Sequence, residues 1–153
     1  MLVEYIERIV AHQLKLGELL RAPPLKYSKW PPADTSKIRG SAGVYHFYEL
    51  NDDGGFVSAY VGKAGFGNKE SWDLHSRLMQ HFQPSQPYAL LGKASKALKT
   101  TPAKVKLQFT SGSMHLQWLT LAAQSSVPVA NLEEELRLFE CFAISILRPK
   151  YTN

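Results

Sequence analysis

Cysteine is almost absent from this chain of 153 residues. Cys141 alone excludes an internal disulfide and any cysteine-built zinc site. It falls in an apolar C-terminal stretch, where an inert, buried thiol is expected. Long apolar runs are missing too. No stretch approaches the roughly 20 residues of a membrane span, and Glu4 and Glu7 interrupt any signal-like start. A soluble, cytoplasmic protein without a membrane partner is expected. There is no internal repeat and no low-complexity segment, and 44% hydrophobic against 20% charged residues is the make-up of an ordered globular chain. Acidic residues are the scarcer charge: 13 against 18 basic ones leave +5, compatible with a polyanionic partner but not demanding one. His12, His46, His75 and His115 show no metal-ligand grouping.

What is present divides at about residue 40. Leu2, Ile6, Ile9, Leu16 and Leu20 recur near helical spacing, which predicts an amphipathic helix over residues 2–20 lying on the domain or a partner. Pro23-Pro24 and Pro31-Pro32 predict an extended arm, carrying Lys26, Lys29, Lys37 and Arg39 and pinned by Trp30. Residues 1–40 are thus read as a helix and a basic arm, and residues 41–153 as the main domain.

Within that domain, residues 44–50 and 56–61 are short apolar runs separated by Asn51-Asp52-Asp53-Gly54-Gly55, a hairpin signal. Tyr45 and Tyr60 are then expected within about one residue of cross-strand register. Gly62 allows a close backbone approach. Residues 71–82 read as a helix with Trp72, Leu78, Met79 and Phe82 on one side and Arg77 and His81, one turn apart, on another. After Pro84 and Pro87, residues 88–100 predict a short helix with Lys93, Lys96 and Lys99 on one flank. Residues 105–109 alternate and read as a third strand, and residues 116–123 as helical. Asn131 opens a last helix with three glutamates in its first turn, and Glu140 sits at the margin of its apolar stripe. The fold class is α+β, a small, mainly antiparallel three-stranded sheet flanked by helices, with an extra N-terminal helix.

Gly43-Val44-Tyr45, then Tyr60-Val61-Gly62-Lys63-Ala64, then Arg77-x-x-x-His81, then Glu140 followed by Pro149-x-Tyr151 closely resemble the GIY-YIG nuclease superfamily, over roughly residues 41–153. That group includes excision-repair incision modules, homing endonucleases and some restriction enzymes. The resemblance implies a metal-dependent endonuclease cutting DNA, restriction-like or stand-alone, with RNA not excluded. A structure-specific repair or mobile-element nuclease is the alternative within the family, and a catalytically degenerate nucleic-acid-binding module the alternative outside it. Tyr45 is then the general base, Tyr60 the residue that orients the water or phosphate, and Arg77 the fork on phosphate oxygens. His81 is assigned to bond Tyr45, relay its proton or touch phosphate. Glu140 would hold Mg²⁺, for which Mn²⁺ can substitute. Lys63, Lys93, Lys96, Lys99 and Arg39 are assigned to nucleic acid, and Gly43, Gly62 and Asn153 to support. The family's usual asparagine after Pro-x-Tyr is Thr152 here, with Asn153 next. A homodimer is compatible with this assignment.

Phosphodiester hydrolysis needs an activated water, charge neutralisation on the phosphate and help for the leaving oxygen. A phenol titrates near 10, so a tyrosine base at neutral pH requires either a lowered value or concerted proton loss.

Overall fold

The computed structural model describes residues 2–65, 73–123 and 131–152. Trp72 and Asn153 therefore lie outside the described residues. Helix α1 spans Leu2–Arg21. Strand β1 (Leu25–Lys26) and a 3₁₀ turn (Tyr27–Lys29) follow, then β2 (Ser41–Leu50), β3 (Phe56–Ala64), α2 (Leu74–Gln80), α3 (Leu90–Leu98), α4 (Pro102–Ser111), β4 (Met114–Ala123) and α5 (Leu132–Leu147). The fold is α+β. Its sheet is antiparallel and has four strands rather than three, in the order β1-β4-β2-β3.

Two expected elements exchange identity. Residues 105–109 alternate like a strand, yet they lie in α4. Thr101 caps that helix, its side chain accepting the Lys104 N–H, and Pro102 occupies the first turn. Val105 and Phe109, one turn apart, are buried, while Leu107 between them is 70% exposed. Residues 116–123, expected to be helical, belong instead to β4, an interior strand paired along β2. Its two faces serve different cores, so it reads as a nearly continuous apolar run.

One core holds Tyr27, Phe47, Leu74, Leu78, Leu91, Phe109 and Leu116, under α2, α3 and α4. The other holds Leu16, Leu19, Val44, Val61, Leu136, Phe139 and Ala143, under α1 and α5. Alternation along β2 sends Tyr45 and Phe47 to the first and Val44 to the second. Between strands, Gln117 donates its amide N–H groups to the carbonyls of Leu20 (3.2 Å) and Ala22 (3.1 Å). Its Oε1 therefore accepts from His46 Nδ1 at 3.0 Å, and the Ser58 hydroxyl donates to His46 Nε2 at 2.8 Å. That chain of bonds ties the end of α1 to the sheet.

Several local expectations change. Only the second half of α1 is seated; Leu16 and Leu19 are buried, whereas Leu2, Ile6 and Ile9 are exposed. Asn131 precedes α5 in a left-handed conformation (φ 59°) and makes no side-chain cap. Cys141, expected to be buried, is exposed on the outer side of α5. The arm is not merely extended. Trp30 stacks on Phe82 at 5.0 Å and Tyr27 on Phe82 at 4.3 Å, which holds it against the end of α2. No helix among the described residues is long and apolar enough to cross a membrane.

Candidate active site

In the β2–β3 hairpin Tyr45 lies opposite Gly62, and Tyr60 lies opposite Phe47. The tyrosines are therefore two residues apart in register, a diagonal pair on one face instead of near-opposed neighbours. Their rings stack 6.3 Å apart at 21°. Gly62 is required by this arrangement, because a Cβ there would overlap the Tyr45 ring and hydroxyl. Gly43 has a similar role one strand away: a Cβ would run into the Leu119 carbonyl, beside the register shift where β2 meets β4. At the far end, Pro149-x-Tyr151 docks on β3, with the Lys150 and Tyr151 N–H groups donating to the carbonyls of Ser58 (3.0 Å) and Ala59 (2.9 Å). The tail thereby braces the strand that carries Tyr60.

Helix α2 is set by Asp73, which no motif singles out. One carboxylate oxygen accepts the Ser76 N–H at 2.8 Å, capping the helix, and the other accepts the Gly40 N–H at 2.7 Å, just before β2. An aspartate directly before a periodic apolar run is an N-cap signal, so the clue was in the chain. His81 closes α2 and is only 3% exposed. Its backbone carbonyl accepts the Tyr27 hydroxyl at 2.8 Å, so the N-terminal arm holds it from behind.

The ring of His81 has a defined protonation pattern. The Leu90 backbone N–H, which can only donate, reaches Nδ1 at 3.0 Å. A neutral imidazole that accepts at Nδ1 carries its proton on Nε2. Nε2 therefore donates to the Tyr45 hydroxyl oxygen, 2.8 Å away. Of the three roles expected of His81, it serves the first: with Nδ1 occupied and Nε2 already protonated, it has no site to receive the Tyr45 proton. Burial, with Lys93 and Arg77 adding to it, pulls the His81 pKa down to about 3, so the ring stays neutral.

Burial dominates Tyr45 as well. It raises the phenol well above 10, as do Tyr60 and Glu140, while Arg77 opposes them. Tyr60 is raised for the same first reason. Arg77 favours the phenolate but is outweighed, and Tyr45 is a phenol at neutral pH. Glu140, half-buried on α5, is raised by burial and lowered by Lys63, Lys93 and Arg77. Tyr45, Tyr60, Arg77, His81, Glu140, Lys63 and Lys93 interact electrostatically as one cluster, the candidate cleft. Lys96 and Lys99 remain exposed on α3 and just past its end, and Arg39 is exposed with its Nε on Thr35 Oγ1 at 3.0 Å.

Among the described residues no three His, Cys, Asp or Glu side chains cluster in the manner of a metal cage. Glu140 supplies one oxygen-donor group flanked by cations. That donor set fits a hard, largely hydrated ion such as Mg²⁺, which keeps its waters and shares substrate phosphate. It does not fit zinc.

Buried histidines held neutral, His81 foremost with His46 and His75, contribute to the acid response. The unfolded chain binds a proton at His81 near pH 6.5, whereas the folded chain does so only at about 3. The stability this ring contributes is complete above about pH 6.5 and lost as pH falls toward 3, because only the unfolded state gains the proton. His46, lowered chiefly by burial, acts in the same sense. In His81→Gln an amide can replace both ring bonds, so the dependence of the urea midpoint on pH should lose one proton's worth of slope. An unchanged slope would show that His81 is not held neutral.

Comparison of the chain with protein-family models, curated proteins and solved structures found no match. What this cleft does must be inferred from its own residues.

Proposed function

We propose that this protein is a divalent-cation-dependent endonuclease of the GIY-YIG type, acting on DNA in the cytoplasm. The observation that carries the proposal is the Tyr45–His81–Leu90 chain: a phenol oxygen held by a neutral imidazole, with Tyr60, Arg77 and Glu140 around it. A binding module has no use for so costly an arrangement of buried polar groups, which disfavours the degenerate alternative.

A raised phenol pKa argues for relay over a standing phenolate. The attacking water forms the new P–O bond and passes its proton to the Tyr45 oxygen as Tyr45 releases its own proton to a phosphate oxygen held by Arg77. His81 is a positioning residue here; its Nε2–H stays on the Tyr45 oxygen and stabilises negative charge during the exchange. Tyr60 lines the water's approach. Glu140 would hold Mg²⁺ through one carboxylate, and that ion supplies Lewis-acid stabilisation of the phosphate when bound. Lys96, Lys99 and Arg39, outside the cleft, are assigned to flanking phosphates, where lysines position without reading sequence.

The free half of α1 extends the proposal to a homodimer. Leu2, Val3, Tyr5, Ile6, Ile9, Val10 and Leu14 are between 43% and 78% exposed. A helix of this length is about 30 Å long. Seven large apolar side chains exposed along one stretch of helix form a contiguous patch of the kind that marks an interaction surface, not the singly scattered apolar residues of an ordinary surface. Sedimentation of the intact protein should give a dimer, and Ile6→Glu with Val10→Glu a monomer with unchanged circular dichroism. A monomeric wild type, or a dimer that survives both charges, removes this assignment.

Plasmid, branched DNA and RNA incubated with and without Mg²⁺ test the activity itself. Cutting of DNA only with the ion is expected, and preference for branched over plain duplex would favour the repair-like alternative. Tyr45→Phe keeps the ring and deletes the relay, and should slow cleavage by about 10²–10⁴. Glu140→Gln should retain DNA binding while cleavage falls below detection. Raising Mg²⁺ can restore a weakened carboxylate site but not Tyr45→Phe. A fully active, folded Tyr45→Phe protein would refute the relay.

A further inference from the structure

Lys93 differs from its neighbours on α3. Lys96 and Lys99 are exposed, but Lys93 is half-buried, and its Nζ lies 5.0 Å from the centre of the Tyr60 ring, over its face. That placement is not an accident of a loose side chain. The first turn of α3 is anchored to the cleft by the Leu90 N–H on His81 Nδ1 at 3.0 Å, and Leu90, Leu91 and Ala94 around Lys93 are fully buried. Gly92 fits so closely against the Pro87 backbone that a Cβ would overlap its carbonyl, which fixes the approach to the helix. Lys93 is therefore a cation delivered to the cleft by the same backbone that sets the His81 tautomer. It stands over Tyr60, whose ring lies 4.7 Å from His81 and 6.3 Å from Tyr45, so the ammonium joins the same group of side chains as the Tyr45 hydroxyl.

We infer that Lys93 is a catalytic residue of the proposed nuclease, its ammonium meeting the oxygen that leaves the phosphodiester. The inference rests on the nuclease proposal and adds the group that the chemistry still needs. As water's oxygen bonds to phosphorus, the P–O bond to the departing nucleoside breaks and its electron pair stays on that oxygen. The oxygen takes a proton from the Lys93 ammonium, and the amine regains one from solvent. The cation–π contact with Tyr60 holds the ammonium in place without consuming its N–H donors. A lysine that merely positioned DNA would lie outside the cleft, as Lys96 does.

Leaving-group sulfur separates the roles. A thiol titrates at about 8.5, far below an alcohol, so a sulfur leaving group departs without a proton. Single-turnover cleavage is measured on ordinary duplex and on duplexes with a 3′- or 5′-bridging sulfur at the linkage the wild type cuts. Lys93→Met should lose about 10²–10⁴ on the oxygen substrate and recover most of that loss on one of the sulfur substrates, with DNA affinity changed only a few-fold. Lys93→Arg, which keeps the charge and guards against a folding artefact, should lie between Met and wild type on oxygen. An equal deficit for Lys93→Met on oxygen and on both sulfur substrates would overturn the assignment, as would a wild-type rate on oxygen. A wild type that cuts no substrate removes the nuclease proposal and this inference with it.

Discussion

The candidate site depends on one imidazole held neutral between a donor and an acceptor. The Leu90 N–H occupies one nitrogen of His81 and the Tyr45 oxygen the other, at 3.0 and 2.8 Å. A ring buried this completely must either satisfy both nitrogens or lose stability, and satisfying both dictates the direction of each bond. The backbone donor sets the tautomer, the tautomer sets which way Tyr45 is bonded, and Tyr45 then keeps a lone pair and a proton for the cleft. Few single contacts constrain so much.

The rest of the chain converges on this ring from separate directions. Asp73 ties the start of α2 to the chain just ahead of β2, which fixes the helix carrying His81 against the strand carrying Tyr45. Tyr27 bonds the His81 carbonyl, and the stacked Tyr27, Phe82 and Trp30 seal its back. Leu90 arrives from the segment after α2, bringing Lys93 with it. The Pro149-x-Tyr151 tail braces β3 from its edge. Polar groups in a poorly solvated site interact strongly and are costly if left unpaired. This convergence explains how a small domain keeps a tyrosine, a histidine, an arginine and a glutamate together.

Much of this was legible in the chain itself. The hairpin followed from Asn51 to Gly55, α5 from its apolar stripe, and the company of Tyr45, Tyr60, Arg77 and His81 from spacing. Two kinds of information were not. Alternation alone could not tell a strand from a half-exposed helix at 105–109, where Thr101-Pro102 was the better signal; nor could it show that 116–123, apolar on both sides, was an interior strand. Tertiary context decided both. Bond direction was also invisible. Nothing in Arg77-x-x-x-His81 indicates that a backbone N–H nine residues later would claim Nδ1, and nothing in a lysine run indicates that Lys93 turns inward while Lys96 does not. The register offset of Tyr45 and Tyr60 was similarly a matter of pairing around the irregularity at Phe47 and Tyr48.

The state of the His81 ring can be observed without substrate or ion. Nitrogen-15 NMR of the imidazole-labelled protein at neutral pH should show His81 as a neutral ring protonated at Nε2 and unprotonated at Nδ1. Its Nε2–H should be protected from solvent exchange, with a signal that shifts in Tyr45→Phe. That pattern should persist to acidic pH for as long as the protein remains folded. A His81 ring protonated at Nδ1, or an imidazolium near pH 6 in the folded protein, would contradict the account.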